Sequence, residues 1–115
     1  MTEQFAILIL ERETPGGIAD IPAEAMEAHG QLPDRVAERG GRIVAGLALE
    51  PNRHTAIRGD VVTDGPFAET KEMLAGVFVL EARDLEHAIE LAKLTPVVDG
   101  GVEVRPLLGF MVTED

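Results

Sequence analysis

The sequence contains no cysteine, no tryptophan and no tyrosine. Without cysteine there is no disulfide framework, no thiol nucleophile and no thiolate metal site. Aromatic residues make up 3% of the chain, so the stacking platforms of single-stranded nucleic acid binders are missing. Basic residues are scarce as well: ten Lys and Arg stand against twenty-one Asp and Glu, a net charge of −11. A surface of that sign opposes the phosphate contacts on which DNA, RNA and anionic membrane binding depend. No apolar run approaches the roughly 18 residues of a membrane span, and Met1-Thr2-Glu3-Gln4 has no basic leader. HExxH, GxSxG and phosphate-binding glycine loops do not occur. The expectation is a soluble cytoplasmic protein with no nucleic-acid partner, no membrane partner, no metal and no cofactor.

What is present is aliphatic. Apolar residues make up 45% of 115 positions, enough for one domain over 1–115 with a Leu, Ile, Val and Ala core. Phe5 to Leu10 is apolar throughout and reads as a strand buried on both faces, closed by Glu11, Arg12 and a turn at Pro15-Gly16-Gly17. A helix follows, capped by Asp20, with Pro22 in its first turn and an inward stripe of Ala25, His29, Leu32 and Val36. Gly30 and Pro33 predict a kink or break, and Gly40-Gly41 a left-handed stop. Arg42 to Leu49 is a second strand, with Ile43, Ala45, Leu47 and Leu49 on one face. Small Gly46 and Ala48 on the other face permit another layer to come close.

His54 to Arg58 and Val61 to Thr63 form a short hairpin around Gly59-Asp60, a pair suited to a type II′ turn. Leu74 to Ala82 is a third long strand. Asp84 caps a second helix whose stripe is Leu85, Ala88, Ile89 and Ala92, with His87 toward solvent, and Thr95-Pro96 stops it. Val102 to Leu108 is the last strand. The order strand, helix, strand, hairpin, strand, helix, strand is a ferredoxin-like α+β plan, a split βαβ with a hairpin insertion. Two helices cover one face of the sheet, yet three strands are apolar on both faces, so the open face is expected to pair two copies into a homodimer.

The stretch from Asp64 to Glu72 is the densest in polar groups. Asp64-Gly65-Pro66 has turn chemistry, and Asp64 is equally readable as a turn former or a site carboxylate. Phe67 anchors the loop, while Glu69, Lys71 and Glu72 form either a solvated ion-paired segment or a recognition surface. Their pairing with Glu103 and Arg105 favours the second, because alternating charges within a strand imply a cleft or a charged partner. A carboxylate metal site from Asp64, Glu69, Glu72 and Glu103 has only a weak signal. His29 faces the sheet from the apolar stripe of its helix. It is a core histidine satisfied by one carbonyl, or a general acid or base.

Asp64-Gly65-Pro66-Phe67-Ala68-Glu69-Thr70-Lys71-Glu72 followed by Leu74-Ala75-Gly76 resembles the signature of the DGPF-type, YCII-related proteins. Val102-Glu103-Val104-Arg105-Pro106 and Asp84 to Glu90 are similar to other parts of that family. The resemblance implies a dimeric α/β barrel and, for some members, a link to extracytoplasmic-function sigma factors. It also implies a pocket His–Asp pair in some wider relatives. His29 stands at the histidine's place, but Thr95 stands where the aspartate precedes the proline after the second helix.

Three readings follow. One is a binder of a small anionic or aromatic ligand in a pocket of the dimer, using Lys71, Glu72, Glu103 and Arg105. Another is an isomerase, lyase or dehalogenase-like enzyme with His29, aided by Asp64, as acid/base. The last is an interaction partner of a sigma-factor system.

Overall fold

A computed structural model describes residues 2–14, 16–65 and 72–113. Among them are β1 (Glu3–Arg12), α1 (Ala23–Glu38), β2 (Arg42–Ala48), β3 (Thr55–Arg58), β4 (Val61–Asp64), β5 (Glu72–Ala82), α2 (Leu85–Ala92) and β6 (Gly100–Pro106). The long strands form an antiparallel sheet in the order β2-β5-β1-β6, and β3-β4 form a separate ribbon. That order is the ferredoxin-like one. Both helices lie on one face. There Phe5, Ile7 and Ile9 of β1 meet Phe78, Leu80 and Ala82 of β5, beneath Leu32 and Val36 of α1 and Ala88, Leu91 and Ala92 of α2.

The local chemistry explains most boundaries and corrects several expectations. Asp20 does not cap α1. It ends a 3-10 turn at Gly17–Asp20, and its carboxylate accepts the Gly16 N–H at 2.6 Å, while Pro22 occupies the cap position without a side-chain bond. The helix also runs unbroken through Pro33. Residue 33 has no N–H to give the His29 carbonyl, a cost that the buried anchors Leu32 and Val36 on either side offset. The stop at Gly40-Gly41 is as expected: Gly40 has φ +83°, and N–H groups of Gly40 and Gly41 bond the carbonyls of Ala37 and Val36, both at 3.1 Å.

In β2 a register shift between Ile43 and Ala45 turns Ile43 onto the same face as Gly46 and Ala48, opposite Leu80, Phe78 and Gly76. Alternation alone had separated them. The ribbon turns through Gly59 at φ +59° with no positive φ at Asp60, the type II′ pattern.

Asp84 caps α2 as its sequence predicts, accepting the His87 N–H at 2.9 Å. The inward face is rotated from expectation: His87, Ala88, Leu91 and Ala92 are buried, and Leu85 and Ile89 are exposed. His87 is 2% exposed because both ring nitrogens find backbone partners. Nδ1 accepts the Arg83 N–H at 3.0 Å and Nε2–H donates to the Arg39 carbonyl at 2.8 Å. This histidine staples the α1 terminus to the start of α2. No helix among the described residues is long and apolar enough to cross a membrane.

Candidate functional site

The N-terminal half of α1 does not seat on the sheet as its C-terminal half does. Leu32 and Val36 are buried, but Ala25, Ala28 and His29 are only half-buried and Met26 is exposed. Beneath them β2 and β5 present Gly46, Ala48 and Gly76, which have almost no side chain to fill the gap. The result is a cavity of about 720 Å³, walled by Ile9, Leu32, Ile43 and Phe78 and roofed by α1. The small face of β2 was expected to draw the layers together; it leaves a void instead. The volume lies within the range of pockets that enclose small organic molecules.

His29 lines this cavity and, among the described residues, makes no hydrogen bond or ion pair. It is therefore not a core histidine satisfied by a carbonyl. The other expected site residues lie elsewhere. Asp64 ends β4, opposite Thr55 in the ribbon, and is not part of the cavity wall. Glu103 and Arg105 project from the edge strand β6 onto the face away from the helices, opposite Leu8 and Ala6. Charges on an exposed edge strand also guard it against pairing with other chains. Glu72, at the start of β5 opposite Arg12, does not line the cavity either. Lys71, Glu69 and Phe67 lie outside the described residues. Thr95 is buried just beyond α2 and is absent from the cavity wall.

The mouth holds a pair that no sequence pattern connects. His54 Nε2 stands 2.5 Å from Glu13 Oε1, and Glu13 Oε2 accepts the Asn52 N–H at 2.8 Å. A carboxylate only accepts, so Nε2 carries the proton. Asn52, at φ +63°, also donates from its side chain to the Thr14 carbonyl. These bonds tie the loop after β2 to the loop after β1, and Gly65 N–H to the His54 carbonyl at 3.0 Å fastens the ribbon to the same point. Because Glu13 and Thr14 line the cavity, the ribbon is rooted at its mouth. Residues 41 apart in two turn-rich segments leave no periodicity by which to find each other. Among the described residues, no group of three or more His, Asp or Glu is placed to hold a metal ion.

A family model for the YCII-related domain matches residues 5–111. An uncharacterised protein of Rhizobium meliloti (strain 1021) is 40% identical over 70 residues, covering 57% of this chain and 55% of the relative. The chain thus spans about half the length of that curated relative. With the match running over nearly the whole chain, the protein belongs to the YCII-related family.

Proposed function

We propose that this protein binds a small, largely apolar molecule in the cavity beneath α1. The observation that supports it is the void itself: about 720 Å³ lined by aliphatic walls and one unpartnered imidazole. It opens to solvent on one side, and a concave, mostly apolar cleft of this size is the usual form of a small-molecule site. The walls supply the hydrophobic contact and His29 supplies a polar point that orients the guest. A catalytic use of His29 has less support, because Asp64 and Thr95 lie outside the cavity wall and no carboxylate hydrogen-bonds the ring.

The same proposal includes a second copy of the chain. The sheet face away from the helices carries Leu8, Leu10, Leu47, Val77 and Val79, with no layer of this chain over it among the described residues. The accessible surface is 8304 Å², whereas a compact monomer of this mass exposes about 6,100 Å². A surplus of roughly 2,000 Å² per chain exceeds the ~800 Å² that each partner of a standard interface buries. The cavity's roof and helix-side walls lie on the opposite side of the sheet, although Leu47 and Val77 of the open face also border it.

Thermal-shift screening with small phenols, alcohols and amines tests the ligand reading. A binder at ten times its Kd is expected to raise Tm by about 5 °C. Ala25→Phe, which puts a ring into the void, is expected to abolish the shift while leaving the fold intact. If ligands shift wild type and Ala25→Phe alike, the site is not this cavity. Light scattering tests the second copy: a 12.3 kDa species at micromolar concentration would refute it.

A further inference from the structure

We infer that the cavity selects an apolar amine over an apolar acid, a step that rests on the reading of the cavity as a small-molecule site. The charged residues that line it, among those described, are Glu11, Glu13, Asp20, Glu50, Asp99 and Arg12. Over the whole chain acids outnumber bases by twenty-one to ten; around this cavity they do so by five to one. The one guanidinium is engaged, since Arg12 Nε sits 3.2 Å from Asp99. No cation on the wall is thus left to receive a carboxylate ligand.

Glu50 pairs with Arg53 at 3.2 Å, Asp99 with Arg12 and Glu13 with His54, which among the described residues leaves Glu11 and Asp20 held by backbone amides alone. Glu11 accepts the Val98 N–H at 2.7 Å, and Asp20 accepts the Gly16 N–H at 2.6 Å. Glu13 accepts the Asn52 N–H at 2.8 Å besides its contact with His54. Amide donors fix a carboxylate's position but leave its charge, and each oxygen retains lone pairs for a further donor. An acidic rim alone would be ordinary solvated surface. Here it borders an apolar cleft, and low-dielectric walls beside charges of one sign focus their field into it.

Inside the cavity His29 offers an imidazole, which can accept from an ammonium and can equally donate to an anion, so the bias comes from the rim. An ammonium on an alkyl or arylalkyl body satisfies all these groups together: its body fills the walls and its N–H donors meet the acceptors. A carboxylate on the same body would face like charges and find no donor on the rim beyond the engaged Arg12.

The test uses three probes with one body: phenylbutylamine, phenylbutanol and phenylbutyrate, titrated by calorimetry at low and at half-molar salt. The amine is expected to bind at least about tenfold tighter than the acid at low salt, with the alcohol between them. The gap should narrow at high salt, which screens exposed charges. Glu11→Gln combined with Asp20→Asn keeps the acceptors for the Val98 and Gly16 N–H groups and removes the two charges that lack a cationic partner among the described residues. It should leave alcohol affinity unchanged and cut the amine-to-acid ratio several-fold. If the alcohol binds and is blocked by Ala25→Phe, but the acid binds as well as the amine, charge selection is overturned and the cavity reading stands. If none of the three binds, both fall together.

Discussion

The two helices rest on one sheet face and use it in opposite ways. Under α2 and the C-terminal half of α1 the side chains are buried: Leu91 is 1% exposed, Val36 is 0% exposed, and even the histidine, His87, has both nitrogens bonded to backbone. Under the N-terminal half of α1 the sheet offers Gly46, Ala48 and Gly76, and the histidine there, His29, is left without a partner. One helix layer thus packs tightly at one end and leaves an open cleft at the other. The lesson is local: helix amphipathicity predicts which way a residue points, but the volume opposite decides whether it packs.

The two histidines give the largest test of that contrast. His87→Ala removes a buried ring and strands the Arg83 N–H and the Arg39 carbonyl. It should cost about 3 kcal/mol, from the cavity and the lost bonds together. His29→Ala removes a half-buried ring with no hydrogen bond and should cost less than about 1 kcal/mol. Urea unfolding of both variants measures the difference. Equal costs would mean that the cavity half is as tightly packed as the other.

A pair of glycines sharpens the comparison at smaller amplitude. A Cβ at Gly41 would lie 2.4 Å from Leu91 Cδ1, with Val36 Cγ1 and the Glu81 carbonyl close behind. A Cβ at Gly46 would meet nothing nearer than Phe78 Cβ at 3.4 Å, an ordinary contact. Gly41→Ala is therefore expected to destabilise by about 2 kcal/mol through overpacking. Gly46→Ala is expected to be neutral or to stabilise by up to about 0.5 kcal/mol, since a strand glycine loses more entropy on folding than alanine. The same unfolding curves report both.

These contrasts also show where the sequence was legible. The alternation of elements, the cap at Asp84, the stop at Gly40-Gly41 and the II′ turn at Gly59-Asp60 each rest on chemistry within a few residues. All of them appear in the structure. His87 was misassigned because Leu85 and Ile89 outrank it in apolarity over an eight-residue helix. Its carbonyl partner at Arg39 lies 48 residues away, beyond any periodic signal. The Ile43 face was missed because a one-residue irregularity inverts alternation without a composition cue. The cavity was hinted at only by small residues, which can mean close approach or empty space. Which one applies depends on how the facing helix seats, and that is set by Leu32 and Val36 rather than by β2.

Thr95 completes the comparison from the packed side. Its residue is 8% exposed and its hydroxyl is buried with no hydrogen-bond partner. In a region where even a histidine is fully bonded, one unsatisfied hydroxyl is the exception. Valine has nearly the same shape and no polar atom to desolvate, so Thr95→Val is expected to stabilise the fold by about 1 kcal/mol. It should leave ligand binding unchanged, because Thr95 does not line the cavity. Thr95→Asp, by contrast, would bury a carboxylate at a position from which the backbone offers no shown donor, and should destabilise. If Thr95→Val instead weakened ligand binding with stability intact, the packed half and the cavity would be one site, and the division between them would not hold.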